Sequence, residues 1–278
     1  MKTIFFGGSK YVIPILEVLK NNFELSLVIT TDKMSNDSVP AFCIKNKIEW
    51  ISSTKIDNNL INKIRNVNAK FAVLADFGLI LPQEFLNLFP KGILNIHPSL
   101  LPQYRGPTPV QTAILNGDKI TGVSLIKLDN QVDHGPIVSQ KEVPIRENDT
   151  SASLYLKLFK TGAELLKKDA EKYLNDDIKT TLQDDRRATF SKILTRDKGK
   201  IKFDNPPPPE LLKRMVRAYY PWPGTWGELM INDKLLRIKI LPEDKIQVEG
   251  KKPMNYKDFI NGYPNAKEII ELLKRPYV

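Results

Sequence analysis

Short apolar runs alternate with helix-like patterns along the first hundred or so residues of the chain. Four of these runs have the length and composition of strands: 3–6, 25–30, 71–75 and 92–96. Such alternation predicts βαβ units, and therefore an α/β fold with a mostly parallel sheet covered by helices on both faces. Ligands of such sheets bind beyond the carboxyl ends of the strands. The loop after Phe6 and the segment that starts at Asn95 are therefore expected to border a site.

The pattern changes in the second half of the chain. Two further strands are expected at 122–127 and 137–143, and apolar residues at helical spacing predict a long amphipathic helix over 150–173. A polar stretch and the four prolines Pro206–Pro209 then lead to a hairpin pattern closed by Asn232-Asp233. The sequence therefore predicts a large α/β domain over 1–178, a basic linker over 179–204 and a small, mostly β domain over 205–278.

Charge and composition exclude several classes of protein. Residues 179–278 carry 21 basic and 13 acidic side chains, a net charge of +8, against +2 for residues 1–178. This excess suits either a polyanion such as RNA or an ordinary solvated surface. One cysteine, Cys43, excludes an internal disulfide, and with two histidines it argues against a metal cluster. No apolar run approaches the ~18 residues of a membrane span. With a single cysteine, the chain is expected in a reducing cytoplasm.

Two segments at the predicted site carry residues suited to chemistry. Gly7-Gly8-Ser9 follows the first strand, where small residues either form a tight turn or let an anion approach a helix N-terminus. Asn95 and His97 lie two apart in a strand and so share one face. An amide that holds a developing oxyanion beside an imidazole that moves a proton suits acyl transfer, although either residue alone is often a structural hydrogen bonder. No nucleophile motif is present, which favours direct transfer without a covalent enzyme intermediate.

The segment Asn95-x-His97-Pro98-Ser99-Leu100-Leu101-Pro102, with Asp133 in Asp133-His134-Gly135, resembles the signature of folate-dependent formyltransferases. Phe6-Gly7-Gly8-Ser9, Phe77-Gly78-Leu79-Ile80-Leu81-Pro82 and Gly122-Val123-Ser124 support the resemblance, which covers roughly residues 1–175. It implies a Rossmann-like first domain and 10-formyltetrahydrofolate as the formyl donor, with no metal.

The resemblance also implies roles for individual residues. Asn95 would stabilise the tetrahedral intermediate, His97 would shuttle the proton, and Asp133 would orient His97, while His134 is read as peripheral. The residues implied to hold the folate are Ser99, Leu100, Leu101 and Pro102, with Phe77, Gly78, Leu79, Ile80 and Leu81.

Three segments resemble the members of this family that formylate initiator methionyl-tRNA: Arg105-Gly106-x-x-Pro109-x-Gln111, Val216–Gly224 and Glu249–Met254. This implies a cytoplasmic, monomeric enzyme of translation initiation, with a small, abbreviated OB-like barrel at its C-terminus. The implied substrate contacts are Gly7, Gly8, Ser9, Arg105, Arg186, Arg187, Lys192, Arg196, Lys198, Lys200 and Lys202.

Two departures from the family pattern leave other acceptors open. The segment Thr31–Pro40 stands where those enzymes insert a basic loop, and it is short and carries no net positive charge. The C-terminal barrel also lacks several expected strands. One alternative is a sugar-nucleotide N-formyltransferase acting on an amino sugar, whose two phosphates would give a weak salt dependence. The other is a non-catalytic RNA-binding relative.

Overall fold

The computed structural model describes residues 1–31, 38–231 and 234–266. Its strands are β1 Lys2–Phe6, β2 Glu24–Thr30, β3 Trp50–Ser52, β4 Phe71–Leu74, β5 Ile93–His97, β6 Ile120–Lys127, β7 Ile137–Pro144, β8 Thr225–Ile231, β9 Lys234–Leu241, β10 Lys245–Val248 and β11 Met254–Asn255. Its α-helices are α1 Ile13–Asn22, α2 Ser38–Asn46, α3 Asn58–Val67, α4 Gln83–Leu86, α5 Pro109–Asn116, α6 Ser151–Leu174, α7 Pro209–Ala218 and α8 Tyr256–Gly262.

The first sheet has seven strands in the order β3-β2-β1-β4-β5-β6-β7. The first five strands in this order, β3, β2, β1, β4 and β5, pair in parallel. Strands β6 and β7 then extend the sheet at one edge by two antiparallel pairings. This confirms the predicted mostly parallel sheet. The central strands β1 and β4 are apolar and almost wholly buried, as expected of strands covered on both faces. The strand order reverses between β1 and β4, which is where ligands of open α/β sheets bind.

The register of β5 decides which side chains face the site. Leu74 of β4 lies beside Asn95, and β6 places Ser124 opposite His97. Because side chains alternate along a strand, Asn95 and His97 share one face and Ile96 points to the other. On that other face Gly162 of α6 lies against Ile96, where an added Cβ would come within 2.5 Å of the Ile96 Cγ2 atom. The helix therefore packs closely against the strand that carries the candidate catalytic residues.

Some local elements differ from the sequence predictions. The helix expected over 82–89 has only four residues, α4, because the chain forms a series of turns from Asn87 to Gly92. The sequence did not predict α5, which follows a proline-rich loop and begins with proline, a residue common in first turns. It also missed β3, whose three residues are too few to show a period of two.

The second sheet is an antiparallel meander of four strands in the order β11-β10-β9-β8. Its core contains Ile231, Ile238, Ile246, Val248 and Phe259, and α8 supplies the phenylalanine. A small, mostly β part near the C-terminus is therefore confirmed, while the barrel-like closure stays a prediction. The predicted turn Asn232-Asp233 and residues 267–278 of the predicted third segment lie outside the described residues, as do residues 32–37 of the loop after β2.

The chain divides into two compact units. The first contains residues 1–109, 120–144 and 155–191, and the second contains 110–119, 145–154 and the chain from Lys192 onward. Within the second unit, α7 is held by Arg217, which donates to the Asp149 carbonyl at 3.0 Å. The domain boundaries expected at 178 and 205 stay predictions. No helix in the described part of the chain is long and apolar enough to cross a membrane.

Candidate active site

The structure brings together the three residues predicted to be catalytic. The Asn95 Nδ2 atom donates to Asp133 Oδ1 at 3.0 Å, and His97 Nδ1 lies 3.4 Å from Asp133 Oδ2. The Gly106 N–H donates to the same Oδ2 at 2.8 Å. Asn95 and His97 are 5% and 4% exposed, so these interactions are largely shielded from water. The carboxylate of Asp133 thus links the two residues of β5 to the loop that follows the strand.

The neighbours of His97 indicate which ring nitrogen donates a hydrogen bond. Its Nε2 atom lies 3.0 Å from the Tyr104 carbonyl oxygen, which can only accept a hydrogen bond, so Nε2 carries a proton in this arrangement. Nδ1 faces the carboxylate of Asp133. Oxygen atoms therefore lie beside both ring nitrogens of His97.

The main chain at Asp133 is held by a residue that the sequence analysis missed. Asp133 has a φ of 50°, in the left-handed region. The side-chain amide of Gln183 donates to the Asp133 carbonyl at 2.9 Å and to the Gly135 carbonyl at 2.8 Å. The oxygen of the same amide accepts two hydrogen bonds from Arg105, at 3.0 and 2.9 Å. No local pattern marks Gln183, since it lies in the stretch that reads as a linker.

Arg105, implied by the resemblance to contact substrate, has an internal role in this structure. It is 4% exposed, and its Nη2 also donates to Asp185 Oδ1 at 2.8 Å. That hydrogen bond lowers the pKa of Asp185, which in turn lies 3.4 Å from His134 Nε2. A hydrogen bond with Asp129 raises the pKa of His134. The predicted contact of Arg105 with tRNA stays a prediction.

The loop 99–102, implied to hold folate, is itself held by two polar side chains. Ser124 donates to the Ser99 carbonyl at 2.6 Å and accepts from the Leu101 N–H at 3.0 Å. Gln140 donates to the Leu101 carbonyl at 2.9 Å. Ser99 and Leu101 are buried, whereas Leu100 and Pro102 are half-buried. The part of this loop that is accessible to a ligand is therefore Leu100 and Pro102.

The second implied folate segment, Phe77–Leu81, packs against the core at both ends and has an exposed tip. Phe77 packs edge-on against Phe6, with ring centroids 5.4 Å apart, and Leu81 is buried in the core. Ile80 is 81% exposed, Leu79 is half-buried, and at Gly78 an added Cβ would meet no atom within 4 Å. The loop thus presents an apolar side chain to solvent from a fixed base.

Gly7, Gly8 and Ser9 follow β1 at the carboxyl edge of the sheet. An added Cβ at Gly7 would overlap the Ala75 carbonyl oxygen, so only glycine fits between the ends of β1 and β4. Gly8 is buried and Ser9 is half-buried. Asp76, which the sequence analysis did not single out, follows β4 at this edge, and burial raises its pKa.

The remaining residues that the resemblance implies as tRNA contacts are exposed cations. Some of them lie in the first unit and the others in the second. Arg186 and Arg187 are exposed in the first unit, where Arg186 pairs with Asp184 at 3.0 Å. In the second unit Lys200 pairs with Glu228 at 2.8 Å and lies over the Trp226 ring. The other exposed cations of that unit on this stretch are Lys192, Arg196, Lys198 and Lys202. Among the described residues, no group of three or more His, Cys, Asp or Glu side chains could hold a metal ion.

Comparison with known proteins identifies the family of this chain. The profile of the formyl transferase family matches residues 24–169, which contain all three candidate catalytic residues. A methionyl-tRNA formyltransferase from Thermodesulfovibrio yellowstonii is 32% identical over 93% of this chain and 95% of its own. Another methionyl-tRNA formyltransferase, from Buchnera aphidicola subsp. Schizaphis graminum, is 34% identical over 86% of this chain and 80% of its own.

Solved structures share the fold at lower identity. An N-formyltransferase from Helicobacter canadensis, in complex with folinic acid and dTDP-3-aminofucose, matches with a TM-score of 0.66 and 21% identity. The match covers 88% of this chain and 93% of that one. At this identity the likeness shows the fold alone. The family profile and the near full-length relatives decide the assignment: the chain belongs to the formyl transferase family, in the branch of the methionyl-tRNA formyltransferases.

Proposed function

We propose that this chain transfers a formyl group from 10-formyltetrahydrofolate to the amine of initiator methionyl-tRNA. The observation that carries the proposal is the Asp133 carboxylate, which bonds Asn95 and lies beside His97 at the carboxyl edge of the sheet. The membership of the family and the relatives that match nearly the whole chain support the choice of acceptor. The enzyme would act as a monomer in the cytoplasm, at the start of translation.

Asn95 is the group suited to the developing oxyanion. Because the carboxylate of Asp133 only accepts, the Asn95 amide nitrogen faces it and the amide orientation is set. One N–H of that amide donates to Asp133. Because the amide group is planar, this hydrogen bond also sets the direction of the second N–H. An amide donor held in place in a buried site costs no reorganisation when the formyl oxygen becomes negative. Asn95 would therefore stabilise the tetrahedral intermediate.

His97 and Asp133 are suited to move the proton. In the reaction the amine nitrogen bonds the formyl carbon, the bond from that carbon to the folate nitrogen breaks, and the amine proton passes to the leaving nitrogen. His97 would accept this proton at Nδ1 and return it. Asp133 and the Tyr104 carbonyl would stabilise the imidazolium in between, since both oxygens lie against the ring nitrogens. No nucleophilic side chain is needed for these steps.

The two loops 77–81 and 99–102 are suited to bind a folate. Both offer apolar surface that a ligand can reach, from Ile80 on one loop and from Leu100 and Pro102 on the other. The flat aromatic ring system of a folate binds against such apolar side chains. Folate supplies the activated formyl group when bound. The solved relative that carries folinic acid supports this choice of donor.

The acceptor part of the proposal rests on charge and on relatedness. The net charge of +8 over residues 179–278 would attract the phosphates of a tRNA. An acceptor held by several phosphates loses affinity steeply with salt, and each neutralised phosphate contributes about −0.7 to −0.9 to the logarithmic slope.

The test is formyl transfer from 10-formyltetrahydrofolate to charged initiator methionyl-tRNA, with a nucleotide-linked amino sugar assayed in parallel. We expect salt-sensitive transfer to the tRNA alone. Asn95→Ala should lower kcat by about 10²–10³-fold while tRNA affinity is retained. The matched control is Asn22→Ala, which removes an exposed amide at the end of α1. Transfer to the sugar alone would refute the acceptor, and full turnover by Asn95→Ala would refute the mechanism.

A further inference from the structure

The segment 181–191, which reads as part of a surface linker, is hydrogen-bonded to the loop that follows β5. The Arg105 N–H donates to the Thr189 carbonyl at 2.9 Å, and the Ser191 N–H donates to the Arg105 carbonyl at 2.8 Å. Arg105 and Phe190 form an isolated parallel bridge. The segment therefore has a defined position beside the active-site loop, and its side chains can act on that loop.

Gln183 uses the whole hydrogen-bonding capacity of its amide at this place. Its Nε2 donates to the Asp133 and Gly135 carbonyls, and its Oε1 accepts from Nε and Nη2 of Arg105. Two donors and an oxygen with two lone pairs are the full inventory of a primary amide. A carboxylate in its place could accept from Arg105 but could donate to neither carbonyl. An apolar side chain could do neither.

The group that Gln183 holds is the main chain of a residue in an unfavourable conformation. Asp133 has a φ of 50°, in the left-handed region that residues other than glycine adopt uncommonly, and contacts to its carbonyl help to maintain this conformation. The direction of the Asp133 carboxylate depends on that conformation. From it the carboxylate reaches Asn95 and the Gly106 N–H. Holding the Asp133 carbonyl thus limits the positions that the carboxylate can reach.

We propose that Gln183 is a positioning residue for the formyl transfer, whose side-chain amide holds Asp133 so that the carboxylate meets Asn95 and His97. The kinetic part of this inference rests on the proposed function, whereas its structural part does not. Gln183 acts through Asp133 and does not itself touch the reacting groups. Loss of its two donors should disturb kcat, since misplacement by about 1 Å of a group at the reaction centre costs about 100-fold.

Two variants distinguish the effect of the two N–H donors of Gln183 from that of its other hydrogen bonds and its length. Gln183→Glu keeps the length and the acceptor for Arg105 but removes both donors. Gln183→Met keeps the length and removes every hydrogen bond without adding a charge. The matched control is Asn22→Asp, the same change from amide to carboxylate on a side chain that donates to the Val18 carbonyl at 2.8 Å. Asn22 ends α1 immediately before β2 begins, and therefore lies at the amino edge of the sheet, away from the site.

The first measurement needs no turnover. We expect amide hydrogen exchange in the peptides that contain Gly106 and residues 133–135 to become faster in both Gln183 variants and to stay unchanged in Asn22→Asp. Exchange that matches wild type in these peptides would overturn the inference, whether or not the protein transfers formyl groups. Absence of transfer by wild type would instead refute the proposed function. The two failures are therefore distinguishable.

The second measurement is steady-state kinetics. We expect kcat to fall about 10- to 100-fold with KM for both substrates within about twofold, because the interaction lost supports the reaction and not binding. In an Asp133→Asn background, Gln183→Glu should lower kcat by less than about twofold, because the group through which it acts is already changed. An equal further loss in that background would overturn the inference. If neither Gln183 variant shows a cooperative thermal unfolding transition, the inference is also overturned, since Gln183 would then be required for folding.

Discussion

Gly162 lies where α6 packs against β5, and replacing it with alanine tests how tightly the helix packs on the strand that carries the candidate catalytic residues. Two effects oppose each other. In a helix interior alanine is favoured over glycine by about 1 kcal/mol. Against this, the added Cβ would lie 2.5 Å from Ile96 Cγ2 and 3.3 Å from Val123 Cγ1, where carbon atoms prefer about 3.5–4.0 Å.

The clash should exceed the gain in helix propensity. Ile96 is 1% exposed and β-branched, so its methyl group has no free rotamer to move into. Overpacking of such a core costs about 1–3 kcal/mol, and the short contact argues for the upper part of that range. We therefore expect Gly162→Ala to lower the free energy of unfolding by about 1–2 kcal/mol. Because Ile96 separates Asn95 from His97 on β5, kcat should fall as well.

Urea unfolding in two backgrounds checks this reasoning. Ile96→Ala removes the methyl group that clashes and by itself costs about 2–5 kcal/mol. In that background Gly162→Ala should become stabilising by up to about 1 kcal/mol, because the helix propensity then acts without the main clash. The sign of the effect thus reverses between the backgrounds, which is a coupling of about 1–3 kcal/mol. Stabilisation by Gly162→Ala in the otherwise unchanged protein would refute the packing argument.

Three further predictions concern single side chains. Asp133→Asn leaves one acceptor oxygen where two are used, by Asn95 and by a backbone N–H, and should lower kcat by about 10²–10⁴-fold with tRNA binding retained, so unchanged turnover would contradict it. Burial raises the pKa of the Cys43 thiol to about 11, so at about pH 8 a disulfide reagent should label it only in denaturant, and rapid labelling of the native protein would contradict the burial. The hydrogen bond that His134 Nδ1 donates to the Asp129 carboxylate raises the pKa of His134 above its usual value, so its contribution to stability is complete below that usual value and is lost as the pH rises through the higher, folded value. The difference in unfolding midpoint between wild type and His134→Asn should therefore be larger near pH 6 than near pH 8.5, and equal differences would contradict the assignment.

The local sequence pattern was sufficient to predict features that depend on a single strand or helix. The spacing of two between Asn95 and His97 places both side chains on one face of any strand, and β5 follows that rule. The long helix expected over 150–173 is found as α6, Ser151–Leu174, because many apolar residues repeat at helical spacing. The four-residue α4 and the three-residue β3 are too short for a hydrophobic period to identify them. The turns that follow α4 set its end, and pairing with β2 defines β3.

The sequence by itself therefore determined the α/β class, the strand that carries Asn95 and His97, and, through the resemblance, the identity of Asp133 as their partner. Only the tertiary structure decided how Asp133 is held and what Gln183 and Arg105 do. Gln183 bonds main-chain carbonyls 50 and 48 residues away from it. A hydrogen bond between such distant residues leaves no periodicity in the sequence, because neither partner depends on the residues beside it. Folding alone brings the amide of Gln183 to the carbonyl of Asp133.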